Sequence, residues 1–267
     1  MQKQTPKWLD LFITAFGAKG LVTLAWWLGA LHAERIRSLQ NSFPFLEITR
    51  GAGSSNLLRV LWKLIGSDGD EAIDVRSVTK LALLRKMTDG TLDWPVVLEE
   101  PEEAEPFDWD EIKACYTGDT ARISSSRESE DIKFRGALVI TGGSGFSVPL
   151  SCRMVTVTLK QAQHRSESRQ AIEMLLALPS TETETFLITS QLRREQIAER
   201  LATTTNGMVE ALKEDVGNFL NYRDALNHAQ LRALLLALDD LFGIPPAVSQ
   251  EAHAEVHAMT WNAVVPY

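Results

Sequence analysis

The spacing of apolar residues predicts alternating strands and helices over about the first 160 residues. Four short apolar runs, typical of buried strands, begin at Phe45, Trp94, Gly136 and Cys152. Between the first two runs, NLLRVLWKLIG has apolar residues at 57, 58, 61, 62 and 65, which is helical spacing. SVTKLALLRKMTDG predicts a second helix that ends at Gly90. Strands that alternate with helices favour a parallel sheet covered by helices.

A helical pattern precedes this alternating region. Residues 5–40 are predicted to be helical, with Thr5 as the N-cap and Pro6 in the first turn. Gly17 and Gly20 flank a predicted break, after which a long helix continues.

A second helical pattern follows the alternating region from Gln161 onward, and NHAQLRALLLALDDLFG is its clearest amphipathic stretch. The sequence therefore predicts an α/β fold in three parts. We expect an N-terminal helical segment over 1–42, a core over 43–160 and a C-terminal helical region over 161–267.

The most apolar run of the chain extends from Gly20 to Ala33. Fourteen residues are short for a membrane span, which needs roughly 20. Asp10 interrupts the lead-in, and the apolar part starts late for a signal peptide. We therefore expect a buried helix in a cytoplasmic protein with no membrane partner.

Charge limits the expected partners. The formal net charge of −8 argues against a whole-surface affinity for nucleic acid, but it leaves room for a local basic patch. Arg122, Arg127, Lys133 and Arg135 are the candidates for such a patch, although acidic residues are interleaved with them. DNA contact is thus an expectation that rests on a weak pattern.

Three residue patterns point away from metal or hydrolase chemistry. Cys115 and Cys152 do not form a CxxC pair, so two free thiols in a reducing cytoplasm are predicted. His253 and His257 are four residues apart, but no glutamate directly follows the first, as a metallopeptidase requires. GGSGF at 142–146 lacks the promptly following helix of a serine hydrolase elbow.

The stretch GAGSSNLLRVLW between the first strand and its helix resembles a phosphate-binding loop, whose pattern is G-x-x-x-x-G-K-[ST]. Aligned on LLR, Gly53 takes the second glycine's place, Ser54 the lysine's and Ser55 that of the magnesium-binding hydroxyl. Gly51 and Gly53 allow a backbone cradle for phosphate, but the lysine charge is absent. The alternative is a glycine-rich turn that binds nothing.

Arg50 and Arg59 flank this loop, although an arginine does not simply replace a lysine there. The next strand ends in Glu99 and Glu100, at the edge where a P-loop ATPase holds magnesium and the attacking water. The alternative is a strand that enters an acidic loop. Thr141 ends the following strand and is a candidate hydrogen-bond donor to nucleotide.

Arg153 directly precedes the last predicted strand. An arginine at such a position is a candidate finger that reaches the nucleotide of a neighbouring subunit. The alternative is an ordinary surface arginine.

Taken in order over roughly residues 6–245, these elements resemble the helicase-like ATPase region of primase–helicase proteins from plasmids, phages and integrated elements. That family is related to superfamily 3 helicases and the AAA+ group. FDWDEIKACYTGDTARI followed by FRGALVITGG resembles the segment that leads to the family's sensor strand. The resemblance implies a P-loop NTPase core, ATP and Mg²⁺ as cofactors, DNA as a partner, and a homo-oligomer or a replication partner protein.

Carried over by residue, the resemblance implies that Gly53 and Ser55 lie at phosphate and metal, that Glu99 or Glu100 lies at the metal or water, and that Arg153 is the finger. Glu99 and Ser55 would be the metal ligands. Two positions depart from the family. Its lysine is Ser54 here, through divergence or deliberate replacement, and its sensor asparagine falls on Gly143.

Losing two such contacts is expected to leave weak or absent hydrolysis, because positioning and charge stabilisation carry phosphoryl transfer. The family's primase and zinc-binding parts are also missing from this sequence. The sequence therefore predicts a degenerate helicase-like ATPase domain of a mobile-element replication protein. The alternatives are a non-catalytic assembly module that retains the fold and an enzyme of another class.

Overall fold

The computed structural model describes residues 5–51, 53–67, 72–79, 82–83, 87, 94–101, 107–124, 129–159 and 166–264. Its strands are β1 (Phe45–Ile48), β2 (Ile73–Asp74), β3 (Pro95–Glu99), β4 (Thr120–Ser124), β5 (Ser129–Lys133), β6 (Ala137–Thr141) and β7 (Met154–Val157). Its α-helices are α1 (Lys7–Ala30), α2 (Ala33–Gln40), α3 (Ser54–Leu64), α4 (Val148–Ser151), α5 (Ser166–Ala177), α6 (Ser180–Thr183), α7 (Thr185–Leu192), α8 (Arg194–Val216), α9 (Tyr222–Phe242) and α10 (Pro246–Asn262). Two 3₁₀-helices span Trp109–Tyr116 and Gly217–Phe219.

Five of the strands form one parallel sheet in the order β2-β3-β6-β1-β7. In the register, Leu46 of β1 lies opposite Val139 on one side and Val155 on the other. After β1, the chain passes β6 and β3 to reach β2 at one edge of the sheet. After β6, it passes β1 in the opposite direction to reach β7 at the other edge. A ligand crevice is expected beside the carboxyl ends of strands where the crossings reverse, which here is at β1 and β6.

The sheet separates two hydrophobic clusters, because successive strand residues point to opposite faces. Leu46, Ile48 and Val139 pack in the larger cluster with α1, α3 and α9. Phe45 and Leu138 face the other side, where the 3₁₀-helix of residues 109–116 packs. The predicted α/β architecture, with a parallel sheet and many helices, is confirmed at this level.

Residues of all three predicted segments share the larger cluster, which contains Trp8, Leu46 and Leu234. The boundaries drawn between 42 and 43 and between 160 and 161 stay a prediction. β4 and β5 pair as an antiparallel two-stranded sheet apart from the main sheet.

Side chains from helices hold the amino end of β1. The Trp26 Nε1–H of α1 donates to the Pro44 carbonyl at 2.9 Å, and the Gln230 amide of α9 donates to the Ser42 carbonyl at 3.1 Å. Both donors are buried, so neither bond competes strongly with water. The strand that leads into the glycine loop is therefore fixed at its start.

The amino ends of β7 and β6 are held in the same way. The Asn227 amide of α9 donates to the Cys152 carbonyl at 3.0 Å, just before β7. The buried guanidinium of Arg37 in α2 donates to the carbonyls of Gly136 at 2.7 Å and Arg135 at 2.9 Å, just before β6.

Two helical predictions are wrong in detail. Thr5 is not the N-cap of α1, because Pro6 precedes its first residue and the Thr5 hydroxyl instead donates to the Gly243 carbonyl at 3.0 Å. The helix α9 is not amphipathic, since 15 of its 21 residues are buried, among them Asn227 and Gln230. Neighbours cover most of the surface of α9, and its Asn227 and Gln230 bond to carbonyls that precede β7 and β1.

The first helix matches the expected buried segment. It is kinked at Gly17, whose φ of 60° is favoured by glycine. Within the described residues, α1 has the length and composition to cross a membrane, yet 67% of its most apolar window is buried in the protein. Most of the predicted helix over 77–90 lies outside the described residues.

Candidate functional site

A cavity of about 460 Å³ opens at the carboxyl ends of β1, β3 and β6, beside the start of α3. Its polar lining comprises Arg50, Gly51, Ser54, Ser55, Arg59, Glu99 and Thr141, and its apolar wall includes Leu58, Trp62 and Val97. Residues that are far apart in sequence thus meet where the strand crossings reverse. Of the predicted site residues, Gly51, Ser54, Ser55, Glu99 and Thr141 line this cavity together.

The glycine loop joins β1 directly to the N-terminus of α3. Gly53 is the N-cap residue, with a φ of +103° that favours glycine. No side chain caps the helix, and its first turn contains no acidic residue. The first-turn amides of Ser55 and Asn56 have no intrahelical acceptor, which gives this end a partial positive charge. Such an N-terminus is suited to a phosphate group.

Ser54, which occupies the position of the lysine, lines the cavity but brings no positive charge to it. Its hydroxyl turns back and donates to the Gly51 carbonyl at 2.9 Å. This bond closes the loop on itself.

The cation that does reach across the cavity is Arg50. Its Nη2 donates to Glu99 Oε1 at 3.3 Å and to the carbonyl of Glu100. The guanidinium lies against Gly142, where a Cβ atom would come within 2.4 Å of Arg50 Nε. In the sequence Arg50 is only a neighbour of the loop, because its contact with Gly142 depends on the fold.

Glu100 belongs to a separate buried cluster beside the cavity. Its carboxylate accepts hydrogen bonds from the Phe107 amide at 2.6 Å, the Ser144 amide at 3.0 Å and Trp109 Nε1 at 3.2 Å. Arg76 Nη2 adds a fourth donor at 3.1 Å. The Glu100 cluster, as we call these five residues, ties three loops to the end of β3.

The two neighbouring glutamates therefore have different environments. Burial by itself raises the pKa of Glu100, but the donated hydrogen bonds outweigh burial and hold this pKa below its usual value. Glu100 is 2% exposed and its oxygens are occupied. Glu99 has 46% of its side chain exposed and faces the cavity, so Glu99 is the better candidate for a metal or water ligand.

At the tip of β6, Thr141 is buried and its hydroxyl donates to the Leu98 carbonyl at 3.3 Å. Gly143, the position of the family's sensor asparagine, packs closely against Phe146. A Cβ atom at 143 would come within 2.3 Å of the Phe146 ring, so a side chain there requires that ring to move. Glycine at this position thus matches its surroundings.

Arg153 lies at the other end of the sheet. It precedes β7, its carbonyl accepts from the Phe45 amide at 2.9 Å, and its guanidinium lies 5.6 Å from the centre of the Tyr116 ring. The guanidinium also donates to the Pro149 carbonyl. Because the cavity opens at the carboxyl ends of the strands, Arg153 does not join the cavity residues of its own chain.

The polar groups that line the cavity are of the types that bind the phosphates and the metal ion of a magnesium nucleotide. Backbone N–H groups of α3 and the guanidinium groups of Arg50 and Arg59 are suited to anionic oxygens. The Ser55 hydroxyl and the Glu99 carboxylate are the hard oxygen ligands that Mg²⁺ prefers. The difference from a working phosphate loop is that its lysine charge is absent and an arginine charge lies nearby.

The proposed basic patch is described only in part. Lys133 and Arg135 both pair with Glu34, at 3.0 Å and 3.7 Å, so part of their charge is balanced. The side chain of Arg122 and the whole of Arg127 lie outside the described residues.

No family model and no curated protein matches the chain. Among solved structures, the chain is similar to SCCmec type IV Cch, titled an active helicase, with a TM-score of 0.67 and 11% sequence identity. The match covers 98% of this chain and 52% of that chain, so this chain spans about half the length of Cch. The fold of the chain is therefore helicase-like.

Proposed function

We propose that the chain is a degenerate helicase-like P-loop ATPase domain of a mobile-element DNA replication protein. In this proposal, the cavity binds ATP with Mg²⁺ weakly and hydrolyses it slowly or not at all. The observation that carries the proposal is the meeting of Gly51, Ser55, Glu99 and Thr141 at the start of α3.

Each residue has a role that its position supports. The amides of the glycine loop and of α3 would hold the phosphates, while the oxygens of Ser55 and Glu99 would hold magnesium. Bound magnesium would neutralise phosphate charge. Thr141 lines the cavity at the end of β6 and would donate a hydrogen bond to nucleotide if its hydroxyl left the Leu98 carbonyl.

Arg153 fits this proposal only in an oligomer. It lies at the amino ends of the strands, so it would serve the nucleotide of a neighbouring copy rather than its own. A homo-oligomer on DNA in the cytoplasm is therefore part of the proposal, and a replication partner protein is the other arrangement.

The second candidate function is a non-catalytic assembly module that retains the fold. Three observations favour it: Ser54 bonds back to its own loop, Phe146 fills the space beside Gly143, and Arg50 is paired with Glu99. The bonds of Ser54 and Arg50 reduce the charge available to a transferring phosphate, and Phe146 leaves little room for a sensor side chain at 143.

Calorimetry with ATP and Mg²⁺ separates the two candidates, when performed on the natural chain and on Ser54→Lys. Binding by the natural chain supports a live nucleotide site. Binding by Ser54→Lys alone indicates an intact cradle in a pseudo-enzyme. If neither chain binds, although both are folded by circular dichroism, the nucleotide proposal is wrong and the assembly module is favoured.

A further inference from the structure

We infer that Arg50 is the phosphate-binding cation of this site, and that phosphate takes the guanidinium from Glu99. This inference rests on the proposed function and adds the residue that replaces the missing lysine. The ligand class is a polyphosphate, which would be bound through the guanidinium rather than through an ammonium group.

The position of Arg50 supports its assignment as the phosphate-binding cation. Arg50 directly precedes Gly51 in the loop, and its guanidinium lies over the carboxyl ends of β3 and β6. Arg59, the other cation of the cavity, is one turn or more inside α3 and exposed. Arg50 is thus the cation placed between the helix N-terminus and the metal-ligand candidate Glu99.

The second step is the space provided at Gly142. This residue has a φ of +70°, and a Cβ atom there would lie 2.6 Å from the Arg50 Cζ atom. Both the backbone conformation and the clearance require glycine while the guanidinium occupies its present place. The end of β6 therefore accommodates this arginine.

The third step is the weakness of the present pairing. The side chains of Arg50 and Glu99 are 30% and 46% exposed, and solvent-exposed pairs of this kind contribute little to stability. A phosphate group carries more negative charge than one carboxylate and accepts parallel hydrogen bonds from a guanidinium. Exchange of Glu99 for phosphate as the partner of Arg50 therefore loses only a weak ion pair.

The exchange has a second effect on the same pair. When the guanidinium turns to phosphate, the Glu99 carboxylate loses its partner and becomes available to a cation. Phosphate and Mg²⁺ binding should then strengthen each other. Phosphate binds Arg50 and frees Glu99 for Mg²⁺, while Mg²⁺ binds Glu99 and frees Arg50 for phosphate.

The test is titration with ATP by calorimetry, with and without Mg²⁺, on the natural chain and on Arg50→Ala, Glu99→Gln and Ser54→Lys. Arg59→Ala is the matched control, since it removes a cation from the same cavity. Arg50→Ala should weaken ATP binding about tenfold or more, because a charge-assisted hydrogen bond is lost, and Arg59→Ala about threefold or less. Without Mg²⁺, Glu99→Gln should bind ATP more tightly than the natural chain.

A variant at Gly142 provides an independent arm. Gly142→Ala should displace the guanidinium and weaken ATP binding in the same direction as Arg50→Ala, while thermal unfolding shows that the chain remains folded. ATP binding that is unchanged in Arg50→Ala, or no tighter in Glu99→Gln without Mg²⁺, overturns the inference.

Failure of the inference and failure of the proposed function give different results. If Ser54→Lys binds ATP but neither the natural chain nor Glu99→Gln does, the cradle exists and Arg50 is not its cation. If none of the folded chains binds ATP, the proposed nucleotide site itself is wrong, and the inference is overturned with it.

Discussion

The two ends of the central strands are built differently. At the amino ends, buried side chains from α1, α2 and α9 donate to the backbone carbonyls that precede β1, β6 and β7. At the carboxyl ends, the cavity is lined by half-exposed polar groups, and an exposed ion pair spans it. Buried hydrogen bonds thus fix the amino ends of the strands, where no ligand is expected. At the carboxyl ends, the side chains around the cavity can exchange their hydrogen-bond partners for a ligand.

The largest expected effect is at the amino ends. Arg37→Met removes a buried guanidinium that donates to three carbonyls, including that of Tyr116 at 3.3 Å. We expect a loss of about 2–4 kcal/mol in the free energy of unfolding, since buried acceptors lose their donors. Urea denaturation measures this change. Arg35→Met, which alters an exposed arginine of the same helix, should cost about 0.5 kcal/mol or less.

Glu100 is a well-fixed point at the carboxyl ends of the strands, unlike the half-exposed groups around it. Glu100→Gln removes the charge from the Glu100 cluster and leaves donors such as Trp109 Nε1 poorly matched. We expect a loss of about 2–3 kcal/mol in urea denaturation. The neighbouring change Glu99→Gln should cost about 0.5 kcal/mol or less, as its pair is half-exposed. Equal losses at the two glutamates would contradict the distinction drawn here.

The smallest effect is a change in stability with pH. The folded-state pKa of Glu100 lies below its ordinary value of 4.5, so the charged form stabilises the fold. This contribution is present above the unfolded pKa and is lost as the pH falls through the folded pKa. The stability difference between the natural chain and Glu100→Gln should therefore narrow in acid. Urea denaturation at pH 7, 5 and about 3.5 checks this, and a constant difference would count against it.

The sequence predicts the local elements of the site well and their contacts poorly. The strand β1, the glycine turn and α3 follow from apolar spacing, since both periodicities are local. Glu99 and Glu100 are adjacent in sequence, and which one is saturated depends on donors that the chain supplies later, such as Phe107 and Ser144. No local pattern encodes that choice.

The same limit explains the error in α9. Its leucine spacing indicates one apolar face but cannot say how many neighbours surround the helix. Gln230 and Asn227 look like solvent-facing residues until Ser42 and Cys152, 188 and 75 positions away, become their partners. The place of the Arg50 side chain is equally hidden in the sequence, because it depends on Gly142 in a different loop.

The helix α1 precedes in sequence the three helices that bury its apolar surface. Its apolar surface packs against α5, α9 and α10, and Thr5 bonds to Gly243 across 238 positions of sequence. During synthesis this helix is translated before those partners, so its buried tryptophans have no native contacts with them until the later helices follow. Contacts of such long range slow folding. Folding of this domain therefore requires that α5, α9 and α10 have been translated.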